Sequence, residues 1–438
     1  MKKLLFVFCL LVVAVGVSSG QSVWTYVDQG PFPDTAAFKL PGGVVNGGIA
    51  VDREGKVWIS TYSGIVDSLP TGQKTGAIYV FQPNGTQAAF SPIKILSGVD
   101  QNGTPVTDTL FGSNTGLAVD PFSGNVLSVR GASYLWSINY QTGAGIRRIL
   151  SPIPGYTSSL AGVDANNLGE VFLAGVLPSG AVQILNSDFS TGTQVVASMA
   201  DYGRDIAVSI DGNDVFIPRF TAFKTWVYHC DNGSLGPYVL ADSIFLGASV
   251  EAIAVHPQTG HVWASADRRS DSTWIKNAYY AYNPTTKQYV DHFTVTAWDP
   301  SASGPLPRGL AFGPTGDTVY VGHFDVATNP PVRRFIYQFV NSVDRVDGVV
   351  PSGYELAQNF PNPFNPSTEI RFSVGKDGFV SLRVYDVLGR EVQTLVNEDL
   401  TAGVYTATFN ASSFSTGTYV YVLTAGDVRI SKKMLLAK

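Results

Sequence analysis

Cysteine is almost absent: Cys9 lies in an N-terminal apolar run and Cys230 in the alternating stretch Trp226 to Cys230. Removal of the first segment leaves a lone thiol and excludes an internal disulfide. No base or electropositive neighbourhood accompanies Cys230, so the sequence predicts a buried structural thiol. Charge is equally scarce, at 14% of residues with a net charge of −5 that becomes −7 without Lys2 and Lys3. With no Lys/Arg cluster, nucleic acid and anionic membranes are excluded as partners. The longest apolar run, Leu4 to Val17, is shorter than the about 18 residues a membrane span needs. Long amphipathic stretches with Glu/Lys faces are missing, which argues against helices. The five histidines show no metalloprotease spacing, and there is neither a Gly-x-Ser-x-Gly elbow nor a phosphate-cradling loop.

What the chain does contain is turn and strand material. Gly (45), Pro (25) and 12% aromatics, in 438 residues that are 45% hydrophobic, predict short strands joined by turns in two to four domains. Lys2 and Lys3, the apolar run and the small residues Ser18, Ser19 and Gly20 predict a Sec-type signal peptide over residues 1–20, cleaved near Gln21, with no membrane span in the mature form.

From about Val23 to Phe339 one pattern recurs: an apolar strand, a turn, then a second apolar strand. The copies open at Ile49, Leu117, Ala161, Ile206, Ile253 and Leu310, and their third residues (51, 119, 163, 208, 255, 312) are spaced 68, 44, 45, 47 and 57 apart. A period near 45 matches a four-stranded propeller blade of about 40–50 residues. The fold class read from this is all-β: a six-bladed β-propeller over residues 21–340, with a seventh blade left open by the 68-residue gap. In that gap Ser63–Gly76 and Gly98–Ser113 read as loops. The last copy lacks a fourth strand, which Ser22 to Val27 would supply to close the ring. In this rhythm the stretch resembles the NHL and SMP-30/gluconolactonase-like six-bladed propellers.

A polar link, 341–353, precedes a sharper signature. It runs through Tyr354, Leu356, Gln358, Asn359, Phe360, Pro361, Asn362, Pro363, Phe364, Asn365 and Pro366. Further blocks hold Gly389, Gly403, Gly417, Lys432 and Lys433. Six or seven alternating strands between turns predict a small Ig-like β-sandwich over 354–438. The blocks, in order and spacing, resemble the type A C-terminal sorting domains of type IX secretion cargo. That resemblance implies the Sec machinery, the type IX translocon and a sortase as partners. It also implies release from the cell or attachment at the outer-membrane surface.

Propellers place function at one end of the axis. The loops at that end offer Asn46, Asn114, Arg204, Glu251 and Arg308 before the inner strands. After the second strands they offer Tyr62, Arg130, Arg219, Asp267 with Arg268, and His323 with Asp325. Several arginines among few acids suit an anion-binding mouth, or ion pairs that merely bridge blades. His256 stands where other copies have a turn aspartate, which predicts a turn role. The gluconolactonase-like resemblance implies a calcium-type metal site on the axis, for which Asn46, Asn114 and Glu251 are suitable types. The remaining carboxylate positions of that pattern are not filled. Three functions stand open: an exported propeller that binds or scaffolds an unidentified extracellular ligand, an extracellular metal-dependent lactonase, and a structural surface-layer component.

Overall fold

A computed structural model of the chain describes residues 23–33, 46–61, 67–110, 114–130, 134–150, 160–175, 182–196, 202–231, 236–267, 269–296, 306–324, 332–340, 343–346, 351, 353–411 and 414–437. The signal segment, Tyr62, Arg268 and Asp325 lie outside the described residues, as do the side chains of Asn46 and Asn114. No helix among the described residues is long and apolar enough to cross a membrane. The chain divides into two compact units, one spanning Thr25–Gln338 and the other built mainly from Phe339–Lys438.

In the first unit a small residue of five of the six inner strands faces a large residue of the second strand. Ala50 pairs with Trp58, Ala118 with Leu127, Ala207 with Phe216, Ala254 with Trp263 and Ala311 with Tyr320. Inner strands crowd the axis while the next strand has room for a ring or branched chain, so the sizes alternate. All five large partners are buried. The result among the described residues is six sheets of mainly antiparallel strands, with inner strands Asn46–Val51, Asn114–Val119, Leu160–Ala165, Ala207–Val208, Ile253–Val255 and Leu306–Phe312 for blades 1 to 6. Each inner strand lies against the next, and blade 6 against blade 1. Glycine is required where these strands touch. A Cβ on Gly48 would stand 2.7 Å from the Leu117 nitrogen, and one on Gly162 2.7 Å from the Ile206 nitrogen.

The ring closes as the sequence suggests. Val23–Pro31 is the outer strand of blade 6, beside Val332–Val340. Tyr26 is buried among Trp263, Phe293, Phe335 and Tyr337, its hydroxyl donating to the Gly316 carbonyl, and Arg333 Nε meets Asp28 Oδ2 at 2.8 Å. Among the described residues the long gap holds no seventh blade. Part of Gly98–Ser113 is strand rather than loop, because Ile95–Asp100 and Pro105–Thr109 form a hairpin that extends blade 2 through parallel pairing with Gly145–Leu150. Asp67–Ser68 and Lys74–Thr75 make a short separate ribbon.

One copy was misaligned by sequence. Asp164 faces Phe172, and Asn166, not Asp164, opens the blade 3 turn by accepting hydrogen bonds from the Leu168 and Glu170 nitrogens at 3.0 Å each. Strand faces repeat every two residues, so a two-residue slip preserves the apolar pattern and goes unseen in sequence. Elsewhere the turn reading holds: the Asp52 carboxylate accepts from the Glu54 and Lys56 nitrogens, and His256 Nδ1 accepts from Gln258 and Thr259.

The second unit is a sandwich of two four-stranded antiparallel sheets around a core that includes Phe364, Phe372, Leu382, Phe409, Tyr421 and Leu423. It has eight strands among the described residues. Within the link 341–353, Val343–Val346 pairs with Gly403–Asn410 as an edge strand.

Candidate functional site

The inner strands surround an axial channel of about 390 Å³. Its charged lining is Arg53, Asp164, Arg204, Asp205, Glu251 and Arg308. Glu251 precedes the inner strand of blade 5, its backbone nitrogen held by Ser265 Oγ at 3.1 Å, and it is buried to 2% exposure. Three arginines converge on it. Arg308 Nε of blade 6 lies 2.9 Å from Oε2, Arg204 Nε of blade 4 lies 3.5 Å from Oε2, and Arg269 Nη2 pairs with Oε1. Arg269 is itself fixed by buried Asp267 through Nε at 2.8 Å. Burial opposes the Arg269 charge, but Asp267 and Glu251 outweigh it and raise its pKa. Phe220 lies between two of these cations, with the Arg204 guanidinium 4.5 Å and the Arg269 guanidinium 4.7 Å from its ring centre.

Two aspartates tie neighbouring inner strands together along the same wall. Asp164 accepts from the Val208 nitrogen at 2.9 Å, and Asp205 from the Ile253 nitrogen at 3.1 Å. Burial pushes both carboxyl groups up to about 7, against the lowering effect of these hydrogen bonds. Both are therefore largely protonated in mildly acidic water.

The structure thus brings together Arg204, Glu251 and Arg308 of the expected mouth residues. The strand register sets Asn46 opposite Thr61 and Asn114 opposite Arg130. Arg130, Arg219 and His323 do not line the channel. Arg130 is buried with Nη1 3.3 Å from the Thr109 carbonyl, Arg219 is buried with its guanidinium 5.7 Å from the Trp226 ring centre, and His323 is buried in the strand opposite Pro307. Sequence reading missed Arg269, Asp205, Asp164 and Phe220 as site residues. Asp205 stands beside Arg204, and Asp164 is the one inner-strand acid where the other blades carry alanine; those were the signals that existed.

A hard divalent cation does not fit here. Calcium takes six to eight oxygen ligands, several of them carboxylate. Both Glu251 oxygens already carry guanidinium groups, whose charge repels a cation. No cluster of three His, Cys, Asp or Glu among the described residues could hold a metal.

The sandwich has its own polar site, built from the C-terminal signature. Asn359 is buried, its backbone nitrogen donating to the Tyr421 hydroxyl at 2.9 Å and its amide to the Pro361 carbonyl and Thr368 Oγ1 at 3.0 Å each. Gln358 donates to the Lys433 carbonyl at 2.7 Å, and Asn362 accepts from the Leu435 nitrogen at 2.9 Å. Phe364 enters the core while its backbone bonds Leu435 and Ala437. The segment therefore covers the free edge of the last strand, Val428–Leu436, which would otherwise offer unpaired backbone groups. Two later blocks share one device. Tyr405 donates to the Thr401 carbonyl at 2.6 Å and Tyr419 to the Ser415 carbonyl at 2.7 Å, each across a glycine, Gly403 or Gly417. Gly389 turns at φ 80° inside the loop organised by the Asp386 carboxylate. Tyr354 donates to the Lys376 carbonyl, Lys432 and Lys433 pair with Tyr421 and Val420, and Asn365, Pro363 and Pro366 are exposed.

Residues 358–437 match the model of the secretion system C-terminal sorting domain. This is the type IX sorting domain, and the chain is exported to the cell surface or the extracellular space. No curated protein matches the chain. Solved structures similar to it include a calcium-binding protein, regucalcin, from Agrobacterium tumefaciens, with 13% identity, 73% of this chain and 94% of that one covered, and a TM-score of 0.45. A luciferin-regenerating enzyme has 11% identity, 72% and 95% coverage and a TM-score of 0.46. A chain of a nidogen/laminin complex has 10% identity, 61% and 85% coverage and a TM-score of 0.42.

Proposed function

We propose that this exported propeller has a non-catalytic binding or scaffolding role outside the cell, with the axial mouth as its binding surface. It is made with a signal peptide over 1–20, crosses the inner membrane through the Sec machinery, and is handed to the translocon and a sortase by its C-terminal domain. The observation that carries the binding role is the capping of buried Glu251 by Arg204, Arg269 and Arg308. A carboxylate so engaged is neither a general base nor a hard-cation ligand. The test is a lactone and ester screen on the mature full-length protein, with calcium and with EDTA. The expected result is no turnover and an unchanged melt. Turnover, or stoichiometric calcium with an EDTA-sensitive melt, would replace this reading with the metal-dependent lactonase.

A further inference from the structure

Glu251 precedes its inner strand, so the turns that follow the inner strands lie at the far end of the channel. Three of these turns, in the successive blades 2, 3 and 4, expose an apolar side chain: Phe122 at 68%, Leu168 at 53% and Ile210 at 37%. The same turns of blades 1, 5 and 6 expose Glu54, Gln258 and Thr315. Turn geometry does not call for apolar residues here. The Asp120 carboxylate accepts from the Phe122 nitrogen at 2.9 Å and the Asn166 side chain from the Leu168 nitrogen at 3.0 Å, whatever the side chains beyond.

The three apolar residues form one stripe. A Cβ on Gly169 would stand 3.2 Å from the Phe122 Cβ, so Phe122 lies against the blade 3 turn. The Asn167 nitrogen, beside Leu168, donates to the Ile210 carbonyl at 3.3 Å. Charge closes each end. On the blade 1 side, exposed Arg53 lies over Gly124 in the Phe122 turn, where a Cβ would collide with its guanidinium. On the blade 4 side, exposed Asp211 follows Ile210. Burial opposes the Asp211 charge, but hydrogen bonds from Ser209 and Asn213 outweigh it and lower its pKa. The order across the face is therefore cation, three apolar side chains, carboxylate.

A stripe in that order is complementary to itself. Turned over about a two-fold axis through Leu168, it sets Phe122 on Ile210 and Arg53 opposite Asp211, each twice. A purely apolar partner would leave both charges unpaired, and a partner of one charge sign would leave one of them so.

We infer that this end face is an isologous interface between two copies of the chain, with Leu168 on the two-fold axis. The polar turns of blades 1, 5 and 6 form its rim. The dimer goes beyond the binding role proposed above and does not depend on it. Back-to-back propellers turn both mouths outward, so the pair offers two sites at once and gains avidity for a multivalent extracellular ligand.

The experiment is sedimentation velocity of the mature full-length protein from about 1 to 100 µM, where a modest interface associates. A reversible monomer–dimer equilibrium is expected. Leu168→Glu sets two carboxylates against each other on the axis and should weaken dimerisation at least about tenfold. Arg53→Glu and Asp211→Lys should each weaken it at least about fivefold alone, because each opposes like charges twice. Mixed in equal amounts, these two variants should dimerise again, since every contact in the mixed pair joins opposite signs. Damage to the fold cannot be reversed by mixing. Should Asp211→Lys not fold, Leu168→Glu and Arg53→Glu still decide the matter. A monomer throughout, growth beyond the dimer, dimerisation indifferent to these substitutions, or no recovery on mixing folded variants overturns the inference.

Discussion

The sandwich and the propeller use buried polar groups in opposite ways. In the sandwich they are neutral and close in sequence: buried Asn359 and Thr368 both donate to the Pro361 carbonyl of their own segment, with Tyr421 as the distant partner. In the propeller they are charged and come from different blades, so that Glu251 meets Arg204, Arg269 and Arg308. A contiguous neutral network leaves a continuous signature in the chain. A charged network assembled across blades leaves only scattered residues, each indistinguishable in sequence from a surface ion pair.

The sharpest way to test the division of labour is to remove the sandwich signature altogether. A chain lacking Tyr354 to Lys438 should accumulate in the periplasm with none outside, measured by fractionation; export of the truncated form would show that the propeller carries its own address. Next in size is the propeller's closure. Tyr26→Ala removes a buried ring and should cost about 3–5 kcal/mol, read as a lower melt and faster hydrogen exchange in blades 5 and 6. An unchanged melt would mean the outer strand holds to blade 6 without this buried ring. Asn359→Ala should cost about 1–3 kcal/mol through the buried partners it leaves unsatisfied. Its faster hydrogen exchange should be confined to the sandwich and leave the blades unchanged.

The smallest effect separates charged from neutral networks by pH. Asp164 has its folded pKa raised from the ordinary 3.8 to about 7, so the folded state holds a proton that the unfolded chain releases. Its contribution is therefore intact at low pH and is lost as pH rises through about 7. Asp164→Asn keeps an oxygen for the Val208 nitrogen and should remove its share of this loss while Asp205 keeps its own, so the fall of the melt between roughly pH 4 and 7 becomes shallower. An identical slope in the variant would place the titrating group elsewhere. No comparable slope is expected from the neutral Asn359 network.

The legible parts of the fold were those written in short-range pattern. The apolar runs Val57 to Ser60 and Val262 to Ser265 marked the second strands, and the unpaired last copy pointed to Ser22 to Val27 as its missing partner, where the strand Val23–Pro31 forms. The hairpin Ile95–Thr109 was missed because its strands are half-polar and sit on a blade edge, where no strict alternation is imposed. The strand Val343–Val346 was missed because a four-residue polar stretch reads as linker until its partner is known. At the mouth, Arg204, Glu251 and Arg308 were legible as loop residues before the inner strands, but Arg130, Arg219 and His323, expected just after the second strands, belong to those strands and are buried within their own blades.

By itself the sequence determined the all-β architecture, the repeat and the export address, because each depends on neighbours within a few dozen residues. Only the tertiary structure decided which charges meet. Closing the ring brings blades 4, 5 and 6 together around Glu251, and the displaced pairing of blade 3 puts Asp164 in the channel wall. Ring closure sums the positions of all six blades, and a two-residue slip leaves the local pattern intact, so neither outcome is encoded in any single stretch of chain.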